Sequence, residues 1–258
     1  MYQTPVFFLS LDKPSTENTG NVLAGTLEWT GNFRLLFELD NLNALRLISG
    51  MNPFASEYYL KANETFTTPA FTFTYSAKGK GHASRNFHNW ARNFGVLYGN
   101  KPRMTLLNNW EATYFNFNEE KLHELFGAAK DLGVDLFLLD DGWFANKYPR
   151  NNATTGLGDW DVNKAKLPNG IAKLVKDAND KGVKFGIWVE PEMVSPKSEL
   201  YEKHPDWIIK LPNRQEHYYR SQLVLDLTNP KVQDFAFSVV DNLMTQNPGI
   251  AYIKWDCN

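Results

Sequence analysis

Hydrophobic and polar residues alternate along the first third of the chain. Branched or aromatic side chains take every second position in four short runs: Val6–Leu11, Val22–Trp29, Phe33–Leu39 and Pro69–Tyr75. Glycine, asparagine and proline separate these runs, as is typical of strands joined by turns. The pattern predicts that residues 1–83 form part of an antiparallel β-sandwich.

A different periodicity begins near residue 84. Phe87, Trp90, Ala91 and Phe94 recur at helical spacing, which predicts a linker helix within residues 84–102. From Arg103 onward, apolar runs alternate with amphipathic stretches. The four runs are Met104–Leu107, Val134–Leu139, Val183–Val189 and Ile250–Trp255. Continuous apolar strands separated by helices predict a parallel sheet covered by helices over residues 103–258, either doubly wound or part of a (β/α)₈ barrel.

The composition narrows the classes of function. The chain has 258 residues, a net charge of −2 and 43% hydrophobic residues, so nothing in its charge favours nucleic acid or an anionic membrane as a partner. A single cysteine excludes an internal disulfide framework and a multi-cysteine metal site. The N-terminus shows no signal-peptide pattern, which favours a cytoplasmic location. The 8 Trp, 11 Tyr and 18 Phe suit either a sugar site or a large core.

Polar and aromatic residues follow each predicted parallel strand. Asn108-Asn109-Trp110-Glu111, Asp140-Asp141-Gly142-Trp143, Glu190-Pro191-Glu192 and Asp256-Cys257-Asn258 occupy these positions. The carboxyl ends of parallel strands lie on one face of the sheet, where such folds build their sites. The sequence therefore predicts that four strands bring carboxylates and tryptophans to one place.

Asp256 is the strongest single candidate. Lys254 lies two residues earlier and so on the same side of the strand, where its ammonium would keep the carboxylate ionised. An ionised, positioned aspartate suits a nucleophile or a metal ligand. The other residues have simpler interpretations, because Asp140-Asp141 also fits a turn, Trp188 fits the core, and Trp160 and Arg220 fit surface loops.

The residues alone leave three classes open. The first is a retaining glycosidase with paired carboxylates and tryptophans that stack on sugar rings. The second is a barrel enzyme in which Asp140, Glu190 and Asp256 hold Mg²⁺ and Lys254 is the base. The third is a sugar-binding module without catalysis.

Four motifs resemble one known family. Leu139-Asp140-Asp141-Gly142-Trp143-Phe144, Trp188-Val189-Glu190-Pro191-Glu192-Met193, Tyr219-Arg220-Ser221-Gln222 and Lys254-Trp255-Asp256-Cys257-Asn258 are similar to motifs of the α-galactosidases of glycoside hydrolase family 36. The likeness runs from about Phe87 to the last residue, and the β-rich start resembles the closing part of that family's N-terminal sandwich. The resemblance implies a partial sandwich followed by an incomplete (β/α)₈ barrel of about four βα units.

The resemblance also implies roles for individual residues. Asp256 would be the nucleophile that forms a covalent galactosyl-enzyme. The remaining site residues would bind the sugar. Lys254 and Asn258 would contact ring hydroxyls, Asp140 and Asp141 the C4 and C6 hydroxyls, and Arg220 a hydroxyl or a carboxylate, while Trp110, Trp143 and Trp160 would surround the sugar subsite. Glu190 and Glu192 remain supporting and unassigned. No metal or cofactor is implied. The implied partners are an α-galactoside oligosaccharide and, at full length, further copies of the enzyme.

One part of the family pattern is missing from this sequence. The family's acid/base is an aspartate in a glycine-rich motif on a later barrel strand, whereas this sequence ends two residues after Asp256. We therefore expect a fragment that needs the remainder of its own polypeptide and is inactive alone. Galactosyltransferases of the raffinose and stachyose type and α-N-acetylgalactosaminidases share the nucleophile motif, so they remain alternatives within the family.

Overall fold

The computed structural model describes residues 4–54 and 56–257. The chain divides into two compact units, residues 1–102 and residues 103–258. Within the described ranges, no helix is long and apolar enough to cross a membrane.

The first unit is built mainly from antiparallel strands. Its five strands are β1 (Val6–Ser10), β2 (Val22–Leu27), β3 (Phe33–Leu39), β4 (Leu45–Met51) and β5 (Phe71–Ser76). One sheet has the order β1-β2-β5, and β3 pairs with β4 in a separate hairpin. The predicted strands are present, and β4 is an additional strand that the alternating pattern did not predict; it includes Gly50 and Met51. Both residues lie in β4, where they pair with Arg34 and Phe33.

Close packing explains one glycine in this sheet. A Cβ at Gly25, in the middle of β2, would lie 2.6 Å from ring carbons of both Phe7 and Phe71. The two rings are stacked with their centroids 6.2 Å apart, so the space above the strand is filled by aromatic side chains. Any larger residue at this position would push the rings apart.

The helix that follows the sheet begins earlier than its apolar pattern indicates. Helix α1 runs from Gly79 to Trp90, and a π-helical turn at Ala91–Gly95 continues it. Its Ala83 is fully buried with Val22 and Ala24 of β2, and Phe87 packs against the same cluster. The helix therefore packs against the sheet of its own unit.

The second unit contains alternating strands and helices. They are β6 (Leu106–Asn108), α2 (Trp110–Thr113), α3 (Glu119–Asp131), β7 (Leu136–Leu139), α4 (Gly170–Asp180), β8 (Lys184–Val189), β9 (Met193–Val194), α5 (Glu199–Lys203), β10 (Leu223–Val224), α6 (Pro230–Gln246) and β11 (Ile250–Trp255). Strands β6, β7, β8 and β11 form a parallel sheet with neighbours in chain order. A doubly wound sheet reverses its order partway, whereas a barrel adds each strand beside the last. The strand order thus favours the barrel.

Local sequence signals set the ends of the long helices. The Asn118 side chain accepts a hydrogen bond from the Lys121 amide at 2.9 Å at the start of α3, and Asn229 does the same for Lys231 at the start of α6. Beyond α3, Gly133 adopts φ +73°, a conformation that glycine tolerates best.

The helices bury one face against the sheet. Strand β7 is buried along its whole length, as expected for a strand covered on both sides. The shared core includes Phe126, Phe137, Leu139, Ile171, Leu174, Phe185 and Ile187. This packing fixes the carboxyl ends of the strands, from which the candidate site is built.

Candidate active site

Four strand ends meet at one edge of the parallel sheet. Asn108 is the last residue of β6, and Asp140, Glu190 and Asp256 follow β7, β8 and β11 directly. Because the strands are parallel and adjacent, these side chains lie on the same face of the unit. Hydrogen bonds and ion pairs join several of them directly.

Lys254 connects two of the candidate carboxylates. Its Nζ lies 3.0 Å from Asp140 Oδ2 and 3.3 Å from Asp256 Oδ2. Burial acts to lower the pKa of Lys254, but the hydrogen bond from Lys254 to Asp140 and the charges of both aspartates outweigh it, so the pKa is raised. Lys254 is therefore a permanent cation between the two carboxylates over the physiological pH range.

Asp256 is oriented by β8 as well as by Lys254. The indole Nε1 of Trp188 donates to Asp256 Oδ2 at 3.1 Å, and the Asp256 amide donates to the Val189 carbonyl at 3.1 Å. The Lys254 ammonium and the Trp188 indole both bind Oδ2 and orient the carboxylate, while the backbone hydrogen bond to Val189 fixes the position of the Asp256 main chain. The arrangement suits a preorganised, ionised nucleophile.

Asp140 is held by the neighbouring strand. Asn108 Nδ2 donates to Asp140 Oδ2 at 2.6 Å, and the Asp140 amide donates to Asn109 Oδ1 at 2.8 Å. Asp140 Oδ1 accepts from the Asp141 amide at 2.9 Å. Asp140 is only 4% exposed, so this buried carboxylate depends on these donors and on Lys254. The sequence places Asn108 and Asn109 at a strand end but gives no sign of which neighbour they bind.

Asp141 has a partner that sequence reasoning missed. Arg150 Nε donates to Asp141 Oδ1 at 3.0 Å, and Arg150 Nη2 donates to Asp141 Oδ2 at 2.9 Å. Burial raises the pKa of Asp141, and the charge and hydrogen bonds of Arg150 oppose that effect. The loop position of Arg150 gave no signal in the chain that could link it to a strand-end aspartate.

Most of the candidate tryptophans pack together. Trp143 is fully buried, Trp188 is 2% exposed, and the partly buried Trp160 lies with its ring centroid 5.9 Å from that of Trp143. The Nε1 atom of Trp143 donates to the Trp188 carbonyl at 3.0 Å. This differs from the expectation that Trp143 contacts a sugar, because it presents no open face and lies beneath the strand ends. Trp110 is partly buried at the start of α2, with its amide bonded to Asn108 Oδ1 at 2.8 Å.

The remaining candidates stand apart from the bonds of Lys254. Arg220 is exposed at the tip of a tight turn between Tyr219 and Gln222, at φ +50°. Glu192 Oε2 accepts from the indole of Trp255 at 2.6 Å, and burial raises the pKa of Glu192. Asn258 lies outside the described residues. Across the part of the chain that the structure describes, no group of three or more histidine, cysteine, aspartate or glutamate side chains is arranged to hold a metal ion.

Comparison with protein-family models decides the relationship. A model described as melibiase matches residues 65–258, and a model described as the glycosyl hydrolase family 36 N-terminal domain matches residues 1–61. The chain belongs to glycoside hydrolase family 36. The resemblance and the fold class expected from the sequence are therefore confirmed.

Individual proteins agree with this family 36 assignment. Alpha-galactosidase AgaA of Geobacillus stearothermophilus is 41% identical over 259 residues, which cover 100% of this chain and 35% of AgaA. The crystal structure of AgaB from the same organism matches with a TM-score of 0.92 and 41% identity, over 98% of this chain and 35% of AgaB. A variant of AgaA in complex with stachyose matches with a TM-score of 0.90 and 40% identity, over 97% of this chain and 34% of the other.

The family 36 chain thus spans about a third of the length of the relatives that it matches. All four parallel strands, the Lys254 ion pairs and the Arg150 pair lie in the region that the melibiase model matches.

Proposed function

We propose that this chain comprises part of the N-terminal β-sandwich domain and the first half of the catalytic barrel of a retaining α-galactosidase. The observation that carries the proposal is the Lys254 ammonium between Asp140 and Asp256 at the carboxyl edge of the barrel strands. Membership of family 36 supports the reaction class. The substrate class is terminal α-linked galactose on melibiose- or raffinose-type oligosaccharides. The stachyose complex and a raffinose complex of AgaA variants support this substrate class.

In the proposed mechanism, Asp256 attacks the anomeric carbon from the face opposite the glycosidic bond. A carboxylic acid protonates the departing oxygen, and the bond to it breaks as the galactosyl ester of Asp256 forms. Water, deprotonated by the same second carboxylate, then attacks the anomeric carbon and releases galactose and the free aspartate. Lys254 and Trp188 hold the Asp256 carboxylate in place through both steps.

The proposal assigns the other candidates to sugar binding. Asp140 and Asp141 accept hydrogen bonds from the C4 and C6 hydroxyls, and Lys254 donates to a ring hydroxyl as well as to its two carboxylates. Trp110 and Trp160 flank the sugar ring, with Trp143 supporting them from beneath. Arg220 and Asn258 bind further hydroxyls, and Arg220 reaches them by movement of its exposed turn.

Two further features belong to this proposal: the position of the acid/base residue and the assembly of the enzyme. A retaining enzyme needs a second carboxyl about 5–5.5 Å from the nucleophile. On the support of the family resemblance, we propose that this acid/base is an aspartate on a barrel strand that follows β11. We also propose that the full-length enzyme assembles from identical subunits, with the family resemblance as support.

The decisive experiment removes the nucleophile in the full-length enzyme. Asp256→Ala should abolish hydrolysis of 4-nitrophenyl α-galactoside, and added azide should restore turnover by taking the place of the carboxylate at the anomeric carbon. The product of rescue should be β-galactosyl azide, identified by NMR, because azide attacks from the face that Asp256 occupied. Turnover near the wild-type level without azide would refute the assignment. Asp234→Ala, which changes an aspartate of α6, is the matched control and should retain activity.

A further inference from the structure

A buried arginine holds the second aspartate of the Asp140-Asp141 pair. Arg150 is 1% exposed and Asp141 is 7% exposed, so the ion pair is almost completely shielded from water. Arg150 Nε lies 3.0 Å from Asp141 Oδ1 and 3.2 Å from Oδ2, and Nη2 lies 2.9 Å from Oδ2. Both carboxylate oxygens are therefore engaged by one planar guanidinium, which fixes the plane of the carboxylate.

Arg150 is itself anchored on two sides. Its Nη1 donates to the Thr155 carbonyl at 3.2 Å, and its own carbonyl accepts from Lys166 Nζ at 3.2 Å. The same Lys166 ammonium donates to the Gly142 carbonyl at 2.8 Å. Lys166 thus ties the arginine loop to the turn that directly follows Asp141, and the guanidinium has little freedom to move.

We propose that Arg150 is a positioning residue that makes Asp141 a fixed hydrogen-bond acceptor and so determines which sugar hydroxyl the site requires. This inference rests on the proposed function. An ionised carboxylate only accepts hydrogen bonds, whereas a protonated one also donates. With Arg150 bound in the plane of the carboxylate, the remaining lone pairs point in set directions, and a hydroxyl must lie along one of them.

Loss of Arg150 should act on recognition more than on the chemical step. Burial raises the pKa of Asp141, so without the guanidinium this carboxyl would protonate or turn toward other donors. Arg150 bonds to Asp141 and to the Thr155 carbonyl, whereas Lys254 and Trp188 hold Asp256, so these two partners of the nucleophile remain in place. We therefore expect kcat/KM to fall on substrates that carry the hydroxyl facing Asp141, and to change little on substrates that lack it.

The test compares Arg150→Met and Arg150→Lys with wild type in the full-length enzyme. The substrates are 4-nitrophenyl α-galactoside and its 4-deoxy and 6-deoxy analogues. On the galactoside, Arg150→Met should lower kcat/KM by roughly 10- to 100-fold, the usual effect of losing a hydrogen bond to a charged group. On the analogue that lacks the hydroxyl bound by Asp141, the loss should be less than about threefold. Arg150→Lys should recover part of the discrimination.

Two further variants link the effect to Asp141. Asp141→Asn should show the same substrate profile, and the double variant Arg150→Met/Asp141→Asn should lose no more than either single variant, because both remove one interaction. Lys147→Met is the control on the same loop. It removes an exposed cation whose partner is Glu202, at 2.7 Å, and should leave the profile unchanged.

The outcomes separate this inference from the proposed function. An inactive wild-type enzyme on all α-galactosides would overturn both. An active wild type whose Arg150 variants lose activity equally on the three substrates would overturn only the role of Arg150. A wild type that accepts both deoxy analogues as well as the galactoside would overturn that role together with the assignment of Asp140 and Asp141 to the C4 and C6 hydroxyls, but would leave the reaction class in place. If Arg150→Met fails to fold, the test rests on folded Arg150→Lys. An equal loss of kcat/KM on all three substrates in that variant contradicts the inference.

Discussion

The ammonium of Lys254 lies 3.0 Å from Asp140 Oδ2, which joins the fourth strand of the parallel sheet to the end of the second. Strand β8 lies between the two strands, so the pair reaches across a neighbour on the face of the sheet. The same ammonium is 3.3 Å from Asp256. One cation therefore forms ion pairs with both a proposed sugar-binding carboxylate and the proposed nucleophile.

Removal of this cation should be costly. Lys254→Met would leave the 5%-exposed Asp140 side chain without its cation and Asp256 without its neighbour. Losing a hydrogen bond to a charged group costs about 1.5–3 kcal/mol, so we expect kcat/KM on an α-galactoside to fall by roughly 10- to 100-fold. In Lys254→Arg, kcat/KM should fall less, because the positive charge is kept while the shape of the side chain changes.

The control for this measurement is Lys184→Met, which removes an exposed lysine at the amino-terminal end of β8, opposite the strand ends that form the candidate site. It should keep both activity and thermal stability near the wild-type values. An unchanged kcat/KM in the Lys254→Met enzyme would show that neither carboxylate depends on the ammonium.

Asp140 should control the choice between galactose and glucose, which differ in the orientation of the C4 hydroxyl. A site built to hydrogen-bond one hydroxyl can discriminate by roughly 10⁴-fold, so we expect strong preference for 4-nitrophenyl α-galactoside over the α-glucoside. Asp140→Asn keeps the shape but loses the charge, and should narrow the ratio of the two kcat/KM values. Asp180→Asn, on the exposed face of α4, should leave the ratio as it is. Equal turnover of the two glycosides by the wild type would argue against a hydroxyl-selective site.

Chelation separates the glycosidase from the Mg²⁺-dependent alternative. The alternative needs a metal ion between Asp140 and Asp256, a position that Lys254 Nζ occupies through its contacts with both carboxylates. We therefore expect EDTA to leave α-galactosidase activity unchanged, measured before and after addition of excess Mg²⁺. Activity that disappears with EDTA and returns with Mg²⁺ would support the metal enzyme instead.

Lys166 should give stability a measurable pH dependence. Burial lowers the pKa of Lys166 to about 8, while the charge of Asp141 opposes the shift. An unfolded lysine titrates near pH 10.4, so between about pH 8 and 10.4 the unfolded state binds more protons and stability rises with pH. Because Lys166 is only partly buried, we expect a gain on the order of 1 kcal/mol after allowance for solvent screening.

The comparison variant for this prediction is Lys166→Met. We expect this variant to be less stable than the wild type, because the carbonyls of Phe115, Gly142 and Arg150 lose their donor. The free energy of unfolding is measured in urea at pH 7.5 and at pH 9.5 for both proteins. The difference between the wild type and Lys166→Met should be larger at pH 9.5 than at pH 7.5. A constant difference between the two proteins would contradict the shifted pKa.

The parallel half of the fold could be predicted because its signals are local. Apolar strands, asparagine caps before α3 and α6, and glycine after α3 each lie within a few residues of the structure that they determine. Strand β4 was missed because its residues face solvent at several positions and Gly50 resembles a turn residue. Exposed hairpin strands lack the apolar run that marks a buried strand.

The site could be predicted in part for the same reason. The two-residue spacing of Lys254 and Asp256 puts them on one side of a strand, which sequence alone indicates. The pair of Lys254 with Asp140 depends on the register of three strands, and the pair of Arg150 with Asp141 depends on the path of a loop. Neither is encoded at short range, so only the folded chain reveals them.

The hydrogen bond from the Trp188 indole to Asp256 Oδ2 makes the proposed nucleophile an optically observable group. Indole fluorescence responds to a nearby negative charge, and that charge disappears when Asp256 becomes a galactosyl ester. The emission of Trp188, isolated by subtraction of a Trp188→Phe enzyme, would then follow formation and breakdown of the ester during a single turnover. The chain thus carries its own reporter, one hydrogen bond away from the reacting atom, and needs no added dye.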